Sequence, residues 1–83
     1  MEVSKKIINI LKIFNPDSNI NLNSSLEDIS IDSMNIISFI ILLEEEFKFS
    51  IPDHEITTEN FSKVKDIENY IKLKIESTLY GKG

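Results

Sequence analysis

The chain repeats apolar residues at every third or fourth position in three separate stretches, and this spacing constrains its fold more than any other feature. The three series are Val3, Ile7, Ile10, Leu11 and Phe14; Ile36, Phe39, Ile40, Leu43 and Phe47; and Val64, Ile67, Ile71 and Ile75. Each series lines one face of a helix, which is the pattern of a helix packed on a core. Strand-like alternation of useful length is not found, so the sequence predicts an all-α fold.

Capping and helix-breaking residues indicate where the helices end. Pro16 follows the first series and ends that helix, because the residue before a proline is biased away from helical geometry. Asp32 is suited to cap the second helix, Ser62 the last one, and Asp53 or Thr57 a short helix between them. The predicted helices cover about residues 2–14, 33–48, 55–61 and 63–79. The sequence thus predicts an irregular four-helix bundle with three long helices, one short helix and a long first loop.

Length and composition predict one small domain over residues 1–83. The chain of 83 residues has no cysteine, so it can form neither a disulfide nor a thiolate metal site, and a cytoplasmic location is expected. Its net charge of −5 argues against binding nucleic acid, which requires a basic patch. The most apolar stretch, residues 36–43, is far shorter than the roughly 20 residues of a membrane helix. We therefore expect a monomer that does not span a membrane.

The loop over residues 15–32 is rich in turn-forming residues but carries five apolar side chains: Ile20, Leu22, Leu26, Ile29 and Ile31. These apolar residues predict a loop pinned to the core. Loops of this length in a compact domain are often functional. The residues at the end of this loop, Asp32 and Ser33, are therefore candidates for a site.

Few residues offer catalytic chemistry. His54 is the sole histidine, and we expect an exposed turn residue there, because a nucleophilic triad would need it beside a serine and an acid. The side chains of Glu44–Glu46 point in different directions around the helix. This favours a solvated face or recognition of a partner over paired acid–base catalysis. Neither pattern therefore predicts a catalytic site.

Ser33 is a stronger candidate for a functional residue. Its predicted place at the start of the second helix puts its hydroxyl at the surface, near free backbone amides and the positive end of the helix dipole. Such a place favours a bound or attached phosphate. The alternative is that Ser33 is a second capping residue.

The second helix also carries apolar residues away from its core stripe. Met34, Ile37 and Ile41 cluster on nearly the opposite side, where a small monomer should be polar. We call these three residues the outer face. Together with Glu44 and Glu45 they are the candidate partner-binding residues.

Three segments carry a resemblance to a known family: residues 26–34 (LEDISIDSM), 43–47 (LEEEF) and 51–53 (IPD). The spacing of these segments and the length of the chain resemble those of the acyl carrier proteins. The resemblance covers nearly the whole sequence. That family opens its second helix with an Asp-Ser-Leu or Asp-Ser-Met triplet, which Asp32, Ser33 and Met34 match. The resemblance implies that Ser33 carries a covalent 4′-phosphopantetheine group, with Asp32 beside it.

Two departures distinguish this chain from the usual pattern. Ser30 stands where the family usually has glycine, and Asn35 and Ser38 stand where bacterial fatty-acid carriers often have acids. The partner-facing surface is therefore expected to be more apolar and less acidic. The Asp-Ser-Met triplet at residues 32–34 and the segment 57–61 look more like stand-alone aminoacyl or D-alanyl carriers and discrete carriers of peptide or polyketide pathways.

The resemblance implies a carrier that holds acyl or aminoacyl groups as thioesters on the prosthetic group. It further implies that the protein is not an enzyme but a substrate of other enzymes. The implied partners are a phosphopantetheinyl transferase, an adenylating or acyl-loading enzyme, and ketosynthase, condensing or transferring enzymes. A dedicated peptide, polyketide or D-alanine pathway is our first hypothesis, and the carrier of fatty-acid biosynthesis is the second. A third is a helical protein-interaction module that is never modified.

Overall fold

Three α-helices form the fold in the computed structural model, which describes residues 3–29 and 31–80 without the side chains of residues 33 and 77–80. They are α1 (Val3–Phe14), α2 (Ser33–Phe47) and α3 (Val64–Tyr80). Within the described residues there is no strand, although Ser25 and Lys63 form an isolated antiparallel bridge. The all-α prediction is confirmed.

The core forms where α1 packs against both α2 and α3. It contains residues from all three predicted stripes and from the first loop, namely Val3, Ile7, Ile10, Leu11, Leu26, Ile29, Ile31, Phe39, Ile40, Leu43, Ile51, Phe61, Val64, Ile67, Tyr70 and Ile71. Phe14, Ile36, Phe47 and Ile75 are partly buried against these residues. Tyr70 is buried as well, although the spacing argument did not include it.

The predicted end of α1 is confirmed, whereas the residue predicted to begin it, residue 2, lies outside the described residues. The amide of Asn15 still donates to the Leu11 carbonyl at 3.1 Å, and Pro16 follows. Helix α2 ends at Phe47, one residue before the predicted end, because Lys48 adopts a left-handed conformation with φ 61°. The Lys48 amide donates to the Glu44 carbonyl at 2.9 Å.

The short helix predicted over 55–61 is not present in that form. The structure has a 3-10 turn at Asp53–Glu55, and the Thr57 carbonyl then accepts the amides of Asn60 and Phe61 in a separate turn. Side chains compete with a regular helix here, because the Thr57 hydroxyl accepts from the Asn60 amide and the Asn60 side chain donates to the Glu55 carbonyl. The bundle therefore has three α-helices and a 3-10 turn.

Lys63, rather than the predicted Ser62, occupies the capping position of α3. The Lys63 carbonyl accepts the first helical bonds from Asp66 and Ile67. The Asp66 carboxylate accepts the Lys63 amide at 3.2 Å, which is one half of a capping box. The Ser62 carbonyl instead accepts the Leu26 amide at 2.9 Å and ties the first loop to the start of α3.

The first loop is pinned to the core as predicted, with one exception. Leu26, Ile29 and Ile31 are buried and Ile20 is partly buried, whereas Leu22 is 42% exposed.

None of the helices in the described part of the chain combines the length and apolar character that a bilayer crossing requires.

Candidate functional site at the start of α2

The first loop holds the start of α2 in a fixed place. The Ile31 amide donates to the Leu26 carbonyl at 2.9 Å, and the Asn15 side chain donates to the Ile29 carbonyl at 3.1 Å. Ile29 and Ile31 are both buried, at 2% and 7% exposure. Asp32 and Ser33 follow directly, so the core determines where α2 begins.

Asp32 caps α2, as predicted. Its backbone is extended, with φ −103° and ψ −171°, and its Oδ1 accepts the amides of Met34 and Asn35, both at 3.0 Å. The Asp32 carbonyl also accepts the Ile36 amide at 2.9 Å. The amides of Met34, Asn35 and Ile36 are therefore not free to hold a phosphate, contrary to the sequence argument.

Ser33 is the first residue of α2, and its predicted surface hydroxyl lies outside the described side chains. Its two neighbours are both exposed, and Met34 is 83% exposed. Ser30, where the family usually has glycine, also lies outside the described residues. The exposed neighbours leave the start of α2 accessible to another protein.

The outer face is exposed as predicted. Ile37 is 55% exposed and Ile41 is 48% exposed, whereas Phe39, Ile40 and Leu43 on the other side of α2 are buried. Beside the outer face, Ser38 is exposed and Asn35 is half-buried. An apolar surface therefore runs along α2 from its first turn.

The three acids at the end of α2 have different surroundings. Glu44 is half-buried, and its Oε2 accepts the Ile51 amide at 2.7 Å. Glu46 accepts from Lys6 Nζ at 2.8 Å, and this bond and charge lower the pKa of the Glu46 carboxyl. Glu45 is exposed and has no hydrogen bond or ion pair with the described residues. Of the two acids predicted to bind partners, Glu44 thus has a structural contact and Glu45 does not.

A surface groove of about 690 Å³ lies beside the start of α2. Its apolar lining consists of Leu26, Ile31, Ile36 and Phe61, and its polar lining of Ser25, Glu27, Asp32, Thr58 and Ser62. The sequence analysis did not predict this groove, because its two sides lie far apart in the sequence and are brought together by the Ser25–Lys63 bridge and by hydrogen bonds such as that from the Leu26 amide to the Ser62 carbonyl.

Glu55 connects the segment on one side of this groove to α3. Its carboxylate accepts the Tyr70 hydroxyl at 2.6 Å and lies 3.0 Å from Lys74 Nζ. Hydrogen bonds from Tyr70 and then Lys74 lower the pKa of the Glu55 carboxyl, while burial and Glu55 raise the pKa of Tyr70. The Tyr70 ring also packs against Phe61, with centroids 5.3 Å apart. We call this contact of Glu55, Tyr70 and Lys74 the Glu55 cluster.

His54 lies next to this cluster without entering the core. Its side chain is 81% exposed, and its Nε2 is 3.8 Å from the Glu55 carboxylate. The prediction of an exposed turn histidine is confirmed. Among the described residues, His54 has no buried acid partner.

Comparison with protein families shows to which family the chain belongs. Residues 2–71 match the family described as the phosphopantetheine attachment site. The chain belongs to this family of carrier proteins. Its prosthetic group is phosphopantetheine. The exposure of Asp32 and Met34 leaves the start of α2 accessible for an attached group.

Individual carrier proteins support this assignment. The chain is 43% identical over 54 residues to an acyl carrier protein of Clostridium acetobutylicum, covering 65% of this chain and 68% of that protein. A structure of Bradyrhizobium japonicum glycine:[carrier protein] ligase complexed with its cognate carrier protein and an analogue of glycyl adenylate matches with a TM-score of 0.80 and 26% identity. That match covers 88% of this chain and 99% of the other.

A third carrier extends the likeness to the modified form. The solution structure of a holo acyl carrier protein from Nitrosomonas europaea matches with a TM-score of 0.80 and 28% identity, over 92% of this chain and 99% of the other. Carrier proteins of this family are substrates of other enzymes rather than catalysts.

Proposed function

We propose that Ser33 carries the phosphopantetheine group and that the protein holds acyl or aminoacyl intermediates on it for a dedicated peptide, polyketide or D-alanine pathway. The observation that carries the proposal is the position of Ser33, the first residue of a capped helix whose neighbours Asp32 and Met34 are exposed. When bound, the group supplies the thiol on which such intermediates are held as thioesters.

The attachment reaction uses this chain as a substrate. A phosphopantetheinyl transferase, with its own magnesium, binds the start of α2. The Ser33 oxygen forms a bond to the phosphorus that bears the pantetheine of coenzyme A, and the pyrophosphate bond breaks. Adenosine 3′,5′-bisphosphate leaves, and the transferase takes up the hydroxyl proton. Because Asp32 already occupies the amides of Met34 and Asn35, the transferase must neutralise the phosphate.

The outer face is the proposed docking surface for the loading and transferring enzymes. Met34, Ile37 and Ile41 expose apolar area next to the proposed attachment residue, and Glu45 adds an acid that has no ion pair with the described residues. Glu44 contributes less directly, since its carboxylate holds the Ile51 amide. Apolar burial then supplies most of the affinity, and the partner is an adenylating or acyl-loading enzyme.

Two lines of likeness bear on the pathway. The matched Bradyrhizobium japonicum structure contains a glycine:[carrier protein] ligase, which supports an aminoacyl-loading partner. The likeness to the Clostridium acetobutylicum acyl carrier protein keeps the carrier of fatty-acid biosynthesis, with a ketosynthase partner, as the second candidate. In both cases we propose that residues 1–83 act as one cytoplasmic, monomeric carrier domain.

Mass spectrometry of the intact protein tests the attachment. Coexpression with a phosphopantetheinyl transferase of broad specificity should add one phosphopantetheine to the wild-type protein and none to Ser33→Ala. Ser38→Ala is the matched control, because Ser38 is an exposed serine of the same helix, and it should be modified like the wild type. Modification of Ser33→Ala would refute the proposal. A wild-type protein that stays unmodified would instead support a helical interaction module.

A further inference from the structure

The outward sides of α1 and α3 carry the same residue types at the same spacing. In each helix an exposed lysine is followed by an exposed asparagine four residues later, a second exposed lysine seven residues later and an exposed aliphatic residue eight residues later. The two sets are Lys5, Asn9, Lys12 and Ile13 in α1, and Lys65, Asn69, Lys72 and Leu73 in α3. We call these two sets together the lysine face.

The two sets lie next to each other on the surface. At about 100° per residue, their spacing places each set within an arc of about 100° on one side of its helix. The other side of α1 is buried through Ile7 and Leu11. At the corresponding positions α3 buries Ile67 and Ile71. Because α1 packs against α3, the two sets form one continuous surface.

The lysine face is basic, although the whole chain has a net charge of −5. Helix α1 contains no acidic residue. Three lysines of the lysine face form no ion pair with the described residues, namely Lys5, Lys12 and Lys65. Lys72 lies 3.5 Å from the half-buried Glu68 of its own helix, and Glu76 is an exposed acid on the same side of α3. The lysines without an ion pair therefore give this surface a positive charge.

Two aliphatic side chains add exposed apolar area to the lysine face. Ile13 is 65% exposed and Leu73 is 67% exposed, and each directly follows a lysine in the sequence. This combination suits the surface of an anionic bilayer, because lysines attract the anionic head groups and aliphatic groups enter the boundary between head groups and acyl chains.

We propose that the lysine face binds reversibly to the surface of an anionic lipid bilayer. The composition favours a bilayer over an acidic protein, since lysine is depleted from protein–protein interfaces and their cores are apolar. Ile13 and Leu73 belong to separate helices, where lysines and asparagines surround them, and they do not form the continuous apolar centre of such an interface. In the bound state α1 and α3 lie along the membrane surface.

The acids elsewhere in the chain oppose this interaction only weakly. At about 0.15 M salt, interactions between exposed charges are screened beyond about 8 Å, so the bilayer interacts mainly with the residues that it touches. The acids Glu44–Glu46 belong to α2, which contributes no residue to the lysine face. A lysine near the surface raises the partition coefficient by roughly fivefold, so four lysines give a weak, salt-dependent interaction.

Membrane binding and partner docking use different surfaces. The outer face belongs to α2, and the lysine face belongs to α1 and α3. The carrier can therefore stay at a membrane while an enzyme docks on the outer face. The inference does not depend on the proposed attachment at Ser33, and Ser33→Ala should bind a bilayer like the wild type.

Sedimentation with lipid vesicles tests the proposal. In roughly 50 mM salt the full chain should co-sediment with vesicles made of equal parts phosphatidylglycerol and phosphatidylcholine, and not with vesicles of phosphatidylcholine alone. Raising the salt to roughly 500 mM should release the protein. Binding to both kinds of vesicle, or to neither, would overturn the inference.

Two double variants with the same change of charge locate the binding surface. Lys12→Gln combined with Lys65→Gln removes one lysine of the lysine face from each helix and should lower the partition coefficient roughly thirtyfold. Lys48→Gln combined with Lys63→Gln removes two exposed lysines outside the lysine face and should lower it by less than about threefold. Both variants should keep the helical circular dichroism of the wild type. Equal losses would mean that net charge, rather than the lysine face, determines binding.

A second pair of variants tests the apolar contact. Leu73→Gln should weaken binding several-fold, whereas Leu22→Gln, at a 42% exposed residue of the first loop, should leave it unchanged. Unchanged binding of Leu73→Gln would overturn the inferred contact with the bilayer.

Polyglutamate is the probe for the other occupant, an acidic protein. The lysine face would fit an acidic protein instead if polyglutamate binds the wild type, fails to bind the Lys12→Gln, Lys65→Gln variant, and no vesicle binds either protein. That result would also overturn the inference.

Discussion

Replacing Leu43 by alanine and, separately, Ile37 by alanine tests the facing of α2, on which the outer face depends. The two residues lie on the same helix, but Leu43 is fully buried and Ile37 is 55% exposed. Both changes shorten a branched aliphatic side chain to a methyl group. A difference in stability between the two variants therefore reports the burial of the replaced side chain rather than its chemical type.

The magnitudes follow from these exposures. A leucine removed from a packed core costs about 2–5 kcal/mol, because the cavity only partly collapses. A domain of this size has a total stability of about 4–12 kcal/mol, so the loss is a large fraction of it. For Ile37 the lost apolar contact is small and alanine is the better helix former, so the change should stay within about 0.5 kcal/mol.

Thermal unfolding followed by circular dichroism is the assay. With roughly 4–8 °C lost per kcal/mol in a domain of this size, a loss of about 3 kcal/mol should lower the Tm of Leu43→Ala by roughly 12–24 °C. The Tm of Ile37→Ala should lie within about 4 °C of the wild-type value. Equal destabilisation by both variants would mean that both sides of α2 are core, and the outer face would then not be a docking surface.

Three further changes test the cap, the Glu55 cluster and the outer face. Asp32→Ala should destabilise the protein by about 0.5–2 kcal/mol in urea unfolding. Asp32→Asn keeps an accepting oxygen and should lose less stability, and equal losses would mean that this oxygen does not stabilise the start of α2. The pKa of Glu55 is lowered from 4.5 by Tyr70 and Lys74, so its contribution is full above that value and disappears as the pH falls through the lower, folded-state pKa. The stability advantage of wild type over Glu55→Gln should therefore be present at neutral pH and vanish in acid, and an advantage independent of pH would contradict this. Binding of the holo protein to its loading enzyme should weaken by less than about tenfold between roughly 50 and 300 mM salt, since apolar contacts are not screened; a steeper loss, with tight binding to a ketosynthase, would favour the fatty-acid carrier.

The parts of the fold that the sequence predicted are those determined by local periodicity. The series that includes Ile7 and the series that includes Phe39 each specify a helix and its buried side, because helical spacing is a property of neighbouring residues. The predicted short helix is confirmed only in part, as the 3-10 turn at Asp53–Glu55, because Thr57 and Asn60 use their side chains in competing turns. Propensity does not reveal which of these bonds forms in the folded chain.

The candidate site was also predicted only where local sequence pattern determines it. Asp32 as a helix cap and the exposure of the outer face followed from local pattern, and both are found in the structure. The contact of Glu44 with Ile51 and the bond between Glu55 and Tyr70 did not follow, because each depends on how distant segments meet. The groove was missed for the same reason.

The antiparallel bridge between Ser25 and Lys63 bears on the order of events during synthesis. The Leu26 amide donates to Ser62, and the Val64 amide donates to the Ser24 carbonyl at 3.0 Å. The loop that leads into α2 is therefore completed by residues that the ribosome adds much later. Under the proposed attachment at Ser33, a transferase that recognises the folded surface must wait until α3 has emerged, so a nascent chain would not yet be a proper substrate.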